Sequence, residues 1–203
     1  MNKDKWAALL ITSLKGEDAE VRFHVECDIS ELGPAAHDLL PALTEALENG
    51  RSPVRSTVSN VLRYIGGIDE AAISALIKAT EDGDPEARGE AAFTLTYLGC
   101  ENALPVLIRL LKDDVIYVRR RIAEASGFFA RGSTALTRPL TEALHDKDWL
   151  VRFWAAKSLG DIGMATPDVL ISLIATLQDE NEDVAKAADL SITKILDSTK
   201  GFR

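Results

Sequence analysis

A chain of 203 residues that is 46% hydrophobic and 27% charged carries enough apolar side chain for a sizeable core, which excludes a disordered segment. Its formal net charge of -9 opposes general binding to nucleic-acid phosphates or anionic membrane surfaces. It has no apolar run long enough to cross a bilayer, no small-residue cleavage site near the start and only Cys27 and Cys100, so a cytoplasmic protein without a disulfide framework is expected.

The chain then repeats itself. A pair of an apolar residue and arginine occurs at Val21-Arg22, Val54-Arg55, Ala87-Arg88, Val118-Arg119 and Val151-Arg152, at intervals of 33, 33, 31 and 33 residues. A sixth copy begins at Val184 with Ala185 in place of arginine. Eleven and seven residues before each anchor stand Leu10 and Leu14, Leu43 and Leu47, Leu76 and Thr80, Leu107 and Leu111, Leu140 and Leu144, Leu173 and Leu177. That spacing of four puts each pair on one face of a first helix, A. Four, eight and eleven residues after the anchors, positions such as Val58, Leu62 and Ile65 or Ala155, Leu159 and Ile162 define a second amphipathic helix, B.

The punctuation fits. Helix B is expected to stop at Gly33, Gly66, Gly99, Ala130 and Gly163, and to start behind the capping residues Asp18, Ser52, Asp84, Asp148 and Asn181. The shorter interval loses its two residues between Gly99 and Leu107, in a connection rather than in a helix. The expected fold is all-α, a single-domain α-solenoid (α-α superhelix) of six stacked helix pairs over approximately 4-33, 35-66, 69-99, 101-130, 133-163 and 167-197, with a short tail over 198-203.

These units resemble HEAT repeats, in particular the short HEAT-like repeats of the phycobilisome lyase type. "LTEALHDKDWLVRFWAAKSLGDIG" matches almost throughout, "LIRLLKDDVIYVRRRIAEASGFFA" in its first half, and "LITSLKGEDAEVRFHVECDISELG" keeps the frame without the alanine pair. The resemblance implies a hydrogen-bonded ladder between repeats, made by an aspartate in the turn and an arginine six residues later. Asp82 and Arg88, Asp113 and Arg119, and Asp146 and Arg152 have that spacing, whereas Gly16 and Asn49 replace the aspartate in the first two repeats. The anchor arginines are therefore structural.

With core and ladder removed, positions plus two, plus three, plus six and plus ten of helix B remain to line a concave surface. These 24 positions hold seven of the 12 aromatic residues, where chance would place one or two. Phe93, Tyr97, Phe128, Phe153 and Trp154 form the densest stretch, and Arg120, Arg121, Lys157, Lys186 and Lys194 add basic charge. Rings supply large contact area at low entropic cost, so the pattern reads as a recognition groove, partly basic within an acidic shell. The spacing also serves a core, and Tyr64, Tyr97 and Phe128 at plus ten are placed to pack against an adjoining helix. Candidate partner-binding residues are Phe93, Tyr97, Arg120, Arg121, Phe128, Phe153, Trp154, Lys157 and Lys194.

No catalytic constellation is found. His24, His37 and His145 fall at different phases of the repeat, and the chain lacks the adjacent His-Glu pairs that carry iron in HEAT-repeat deoxyhypusine hydroxylases, so neither metal nor cofactor is expected. The expected function is a non-enzymatic scaffold or adaptor for a protein or peptide, acidic or anionic with apolar anchors, with no nucleic-acid or membrane partner. The alternative that the resemblance implies is a bilin lyase or chromophore-handling chaperone, whose tetrapyrrole would stack on the rings and pair its propionates with the cations.

Overall fold

A computed structural model describes residues 3-129 and 134-200. Twelve α-helices follow in order: α1 (Lys3–Lys15), α2 (Ala19–Leu32), α3 (Leu40–Asn49), α4 (Ser52–Ile65), α5 (Glu70–Ala79), α6 (Pro85–Tyr97), α7 (Leu104–Leu110), α8 (Ile116–Phe129), α9 (Thr137–Ala143), α10 (Trp149–Ile162), α11 (Pro167–Thr176) and α12 (Glu182–Lys200). Short 3-10 segments at Gly33–Leu39 and Glu101–Ala103 lead into α3 and α7. Odd-numbered helices are the A helices and even-numbered ones the B helices, and no strand occurs among the described residues. The chain is an α-solenoid of six helix pairs. It divides into two compact units, Met1–Leu98 and Gly99–Arg203, with three pairs in each. The division falls at the start of the connection that is two residues short.

Local chemistry sets the helix ends. Asp18, Asp84 and Asp148 cap α2, α6 and α10, their carboxylates accepting from backbone amides two or three residues on. Asn181 Oδ1 accepts from the amides of Asp183 and Val184 in the same way at α12. Ser52 departs from expectation. Arg51 occupies the cap position without a side-chain bond, Ser52 is the first helical residue, and its hydroxyl donates to Asp82 instead at 3.0 Å. The backbone turns out of α10 at Gly163 with φ +73°, which a side chain would strain, and Gly33, Gly66 and Gly99 also have positive φ. Ala130 lies outside the described residues.

The predicted stripes form the core. Leu14, Leu43, Leu76, Leu107, Leu140 and Leu173 of the A helices are fully buried against Ile29, Val58, Leu62, Ala91, Leu95, Ile122, Ala155 and Ala188 of the B helices. Each leucine so placed contributes about 2 kcal/mol of transfer free energy. Two polar residues sit in this layer. Thr80 and Ser126 are fully buried, and each donates its hydroxyl to a carbonyl of its own helix, Thr80 to Ile77 at 2.6 Å and Ser126 to Ile122 at 2.7 Å. The hydroxyls thus avoid the cost of an unpaired buried donor.

Helices B also touch one another through small residues. Thr94 donates to the Ser59 carbonyl at 2.7 Å, and Ser158 donates to the Ala123 carbonyl at 2.9 Å. Where α10 meets α12, a Cβ on Gly160 would lie 2.5 Å from Ser191 Oγ, so the two backbones approach as closely as they do only because that position is glycine. Among the described residues no helix is long and apolar enough to cross a membrane.

Candidate partner-binding surface

The anchor arginines form a ladder whose direction the spacing alone does not show. Each donates backward to main-chain oxygen in its own turn: Arg88 Nη1 to the Asp82 carbonyl at 2.6 Å, Arg119 to that of Asp113 at 2.8 Å, and Arg152 to that of Asp146 at 3.0 Å. The carboxylate contact runs forward, to the aspartate 27 residues on. Arg119 grips Asp146 at 2.7 and 3.0 Å, Arg152 grips Asp179 at 2.7 and 2.8 Å, and Arg55 pairs with Asp82. An aspartate therefore serves the arginine of the preceding repeat. This explains why Asp179 persists in the last repeat although Ala185 has replaced the arginine there. It also explains the other end: 27 residues beyond Arg22 stands Asn49, and among the described residues Arg22 bonds only to the carbonyls of Gly16 and Glu17.

These pairs tune their own charges. Hydrogen bonds to Asp146 and Asp179 raise the basicity of Arg119 and Arg152 above the usual arginine value, against opposing burial. The bond from Arg152 holds the Asp179 carboxyl below the usual carboxylate range. At Asp82 burial pushes the carboxyl up, but donation from Arg55, the Asp84 amide and Ser52 outweighs it and the net shift is downward. Arg55 and Asp179 were not among the expected ladder residues. The signal that locates both is a 27-residue period between an arginine and the next turn's aspartate.

Helices α10 and α12 of the second unit frame a groove of about 340 Å³ whose lining includes Phe153, Lys157, Asp161, Lys186, Leu190 and Lys194. In each helix these are positions plus two, plus six and plus ten. Leu190 is 70% exposed, and Phe153 and Trp154 are half-buried in an edge-to-face pair, 5.2 Å between centroids at 77°. The Lys157 ammonium lies 4.6 Å from the centroid of the Trp154 ring. Phe128, in the same unit on α8, is 57% exposed.

The cations of the surface are mostly engaged within the protein. Arg120 makes a two-point contact with Asp148 at 2.6 and 2.7 Å, and this bond holds the Asp148 carboxyl, also the cap of α10, below its usual range. Arg121 pairs with Glu124 at 3.0 Å, Lys186 with Glu182 at 2.7 Å, and Lys194 with Asp161. Among the described residues Lys157 pairs with no carboxylate, so its charge is directed to the aromatic ring and to solvent. The expected basic surplus is thus largely compensated, because Arg120, Arg121, Lys186 and Lys194 each have a carboxylate one helical turn or one repeat away.

In the first unit the outcome differs. Phe93, expected on an open face, is only 6% exposed. Its ring stacks on Tyr97 at 6.4 Å and 12°, and the Arg63 guanidinium lies 4.8 Å above it and 4.8 Å above Tyr64. Arg63 is a long cation at plus nine of α4, and its packing turns Phe93 into part of the interior. Tyr97 keeps 44% of its surface. The five-ring stretch is therefore divided, with Phe93 and Tyr97 in one unit and Phe128, Phe153 and Trp154 in the other. Neither Cys27 nor Cys100 is in a disulfide bond. Among the described residues no group of three or more potential metal ligands converges.

Helix pairs tied by a forward arginine-aspartate ladder define an α-solenoid repeat protein. The family profile of HEAT repeats matches residues 73–137 and 116–192, and the chain belongs to that family. No curated protein sequence matches the chain. Solved structures share its fold. An engineered protein superposes with a TM-score of 0.67 at 20% identity, over 96% of this chain and 99% of that one. A designed armadillo repeat protein in complex with the peptide (KR)4 gives 0.67 at 19% identity over 92% and 98%. The complex of CpcE and CpcF of phycocyanin lyase from Nostoc sp. PCC7120 gives 0.60 at 23% identity over 77% and 98%.

Proposed function

We propose that the chain is a non-enzymatic scaffold that holds a protein or peptide segment along α10 and α12, and that the segment is anionic with apolar anchors. The observation that supports this most is Leu190, a large apolar side chain left mostly exposed at the wall of a groove that also contains Phe153. A buried anchor placed between leucine and phenylalanine removes apolar surface from water on both partners. Lys157, with no carboxylate partner among the described residues, supplies the charge that a carboxylate of the partner would meet. Arg120, Arg121 and Lys194 contribute mainly by exchange, since each would have to leave an internal acid to bind an external one.

Calorimetric titration of the full chain with an acidic peptide carrying spaced leucines tests the reading. Leu190→Ala is expected to weaken binding at least tenfold and Lys157→Gln several-fold, with the Lys157 contribution fading at high salt. Unchanged affinity in Leu190→Ala would remove the groove from the function. The bilin-handling alternative uses the same rings and lysines, and a designed peptide binder and a lyase complex share the fold alike. Mixing the chain with a bilin separates the two: a shifted absorption band that Phe153→Ala abolishes favours the chromophore, and a silent spectrum favours the scaffold.

A further inference from the structure

We infer that helix α2 presents a second binding surface, for a basic segment, built on the same aromatic plan as α10 but with the opposite charge. Phe23 and His24 occupy plus two and plus three of the first repeat, the positions of Phe153 and Trp154 in the fifth. The two pairs are also alike in geometry: Phe23 and His24 stand edge to face at 5.9 Å and 62°. Phe23 is 61% exposed, so its ring is available to a partner.

The surrounding charge distinguishes the two surfaces. Plus six and plus ten are Cys27 and Glu31 in α2 where α10 has Lys157 and Asp161, and Glu20 lies one residue before the anchor. Glu20, Phe23 with His24, Cys27 and Glu31 follow one another at spacings of three or four, so they share one stripe of the helix. At a rise of about 1.5 Å per residue Glu20 lies about 4.5 Å before the phenylalanine and Glu31 about 12 Å after it. Both carboxylates are exposed, and among the described residues neither makes an ion pair. Half-buried Glu26, three residues beyond Phe23, is a further acid of the same helix, and Arg63 of α4 is the cation that acts on it. A guanidinium or ammonium fits such a place, stacking on the Phe23 ring while donating to a flanking carboxylate.

This surface stands on its own residues, independent of the groove between α10 and α12. Its test is fluorescence anisotropy of the full chain with two labelled peptides of equal length, one alternating arginine with alanine and one alternating glutamate with leucine. For the basic peptide we expect a loss of at least tenfold in Phe23→Ala and in the double variant Glu20→Gln/Glu31→Gln, and less than twofold change in Phe153→Ala. Glu48→Gln removes one charge from an exposed site on α3 and is expected to change little, whereas the single variant Glu31→Gln, which removes one charge from α2, is expected to weaken binding several-fold. No binding of the basic peptide, or an equal loss for one charge removed at Glu48 and one at Glu31, would overturn the assignment, the second result reducing it to attraction by the chain's overall charge. The acidic peptide reports separately on the second unit, where Phe23→Ala is expected to have no effect.

Discussion

Removing the Arg152 guanidinium takes a donor from the Asp146 carbonyl and leaves Asp179 with the Asn181 amide alone among the described residues, in a turn where both side chains of the pair are more than nine-tenths covered. Arg152→Ala is expected to destabilise the fold by about 3 kcal/mol in urea unfolding, because an uncompensated buried charge costs more than the intact pair contributes. Replacing both partners, Arg152→Met with Asp179→Leu, is expected to recover most of that loss. The pH dependence follows from the depressed carboxyl of Asp179: its stabilisation is complete above the usual carboxylate range and is lost as pH falls through the lower folded value. The stability difference between the native chain and Asp179→Asn should therefore be constant near neutrality and vanish in acid. Glu26 has the opposite sign. Burial, then the Glu90 charge, raise its folded value, so the ionised form strains the fold at neutral pH and the strain is relieved as pH falls. Glu26→Gln is expected to raise the melting temperature at pH 7 and to have little effect below the usual carboxylate range.

Between helices the governing variable is side-chain size. At plus five and plus seven of helix B the interior repeats hold Ser59, Ala92, Ala123 and Ala156, and Val61, Thr94, Ala125 and Ser158, and all of them are buried. Asp28 in the first repeat and Asp189 in the last stand at the same two phases, and both are exposed, so their charges remain hydrated. Gly160 represents the limit of this rule. An alanine in an ordinary helix position gains stability over glycine, but here the added Cβ would enter the Ser191 side chain, and Gly160→Ala is expected to cost about 1–3 kcal/mol. A stabilised Gly160→Ala variant in thermal unfolding would show that α10 and α12 do not pack as closely as described.

At the scale of the molecule, much was legible in the sequence because repetition multiplies weak signals. The period, both helices of each pair, the leucine layer and the glycine ends follow from spacing, and the four caps at Asp18, Asp84, Asp148 and Asn181 follow from side-chain chemistry. What spacing does not encode is which partner a long side chain selects. Arg120 turns to Asp148, Arg63 covers Phe93, and the ladder aspartates face the preceding repeat, all choices among several neighbours within reach. Periodicity sets which positions of α10 and α12 share a face, while the net charge that face carries depends on pairings that a count of residues leaves out. The most direct test of that surface is amide chemical-shift mapping of the isotopically labelled full chain during titration with the acidic leucine-bearing peptide. Shifts concentrated at residues 153-161 and 186-194 are predicted; shifts confined to the A helices α9 and α11 would contradict the account.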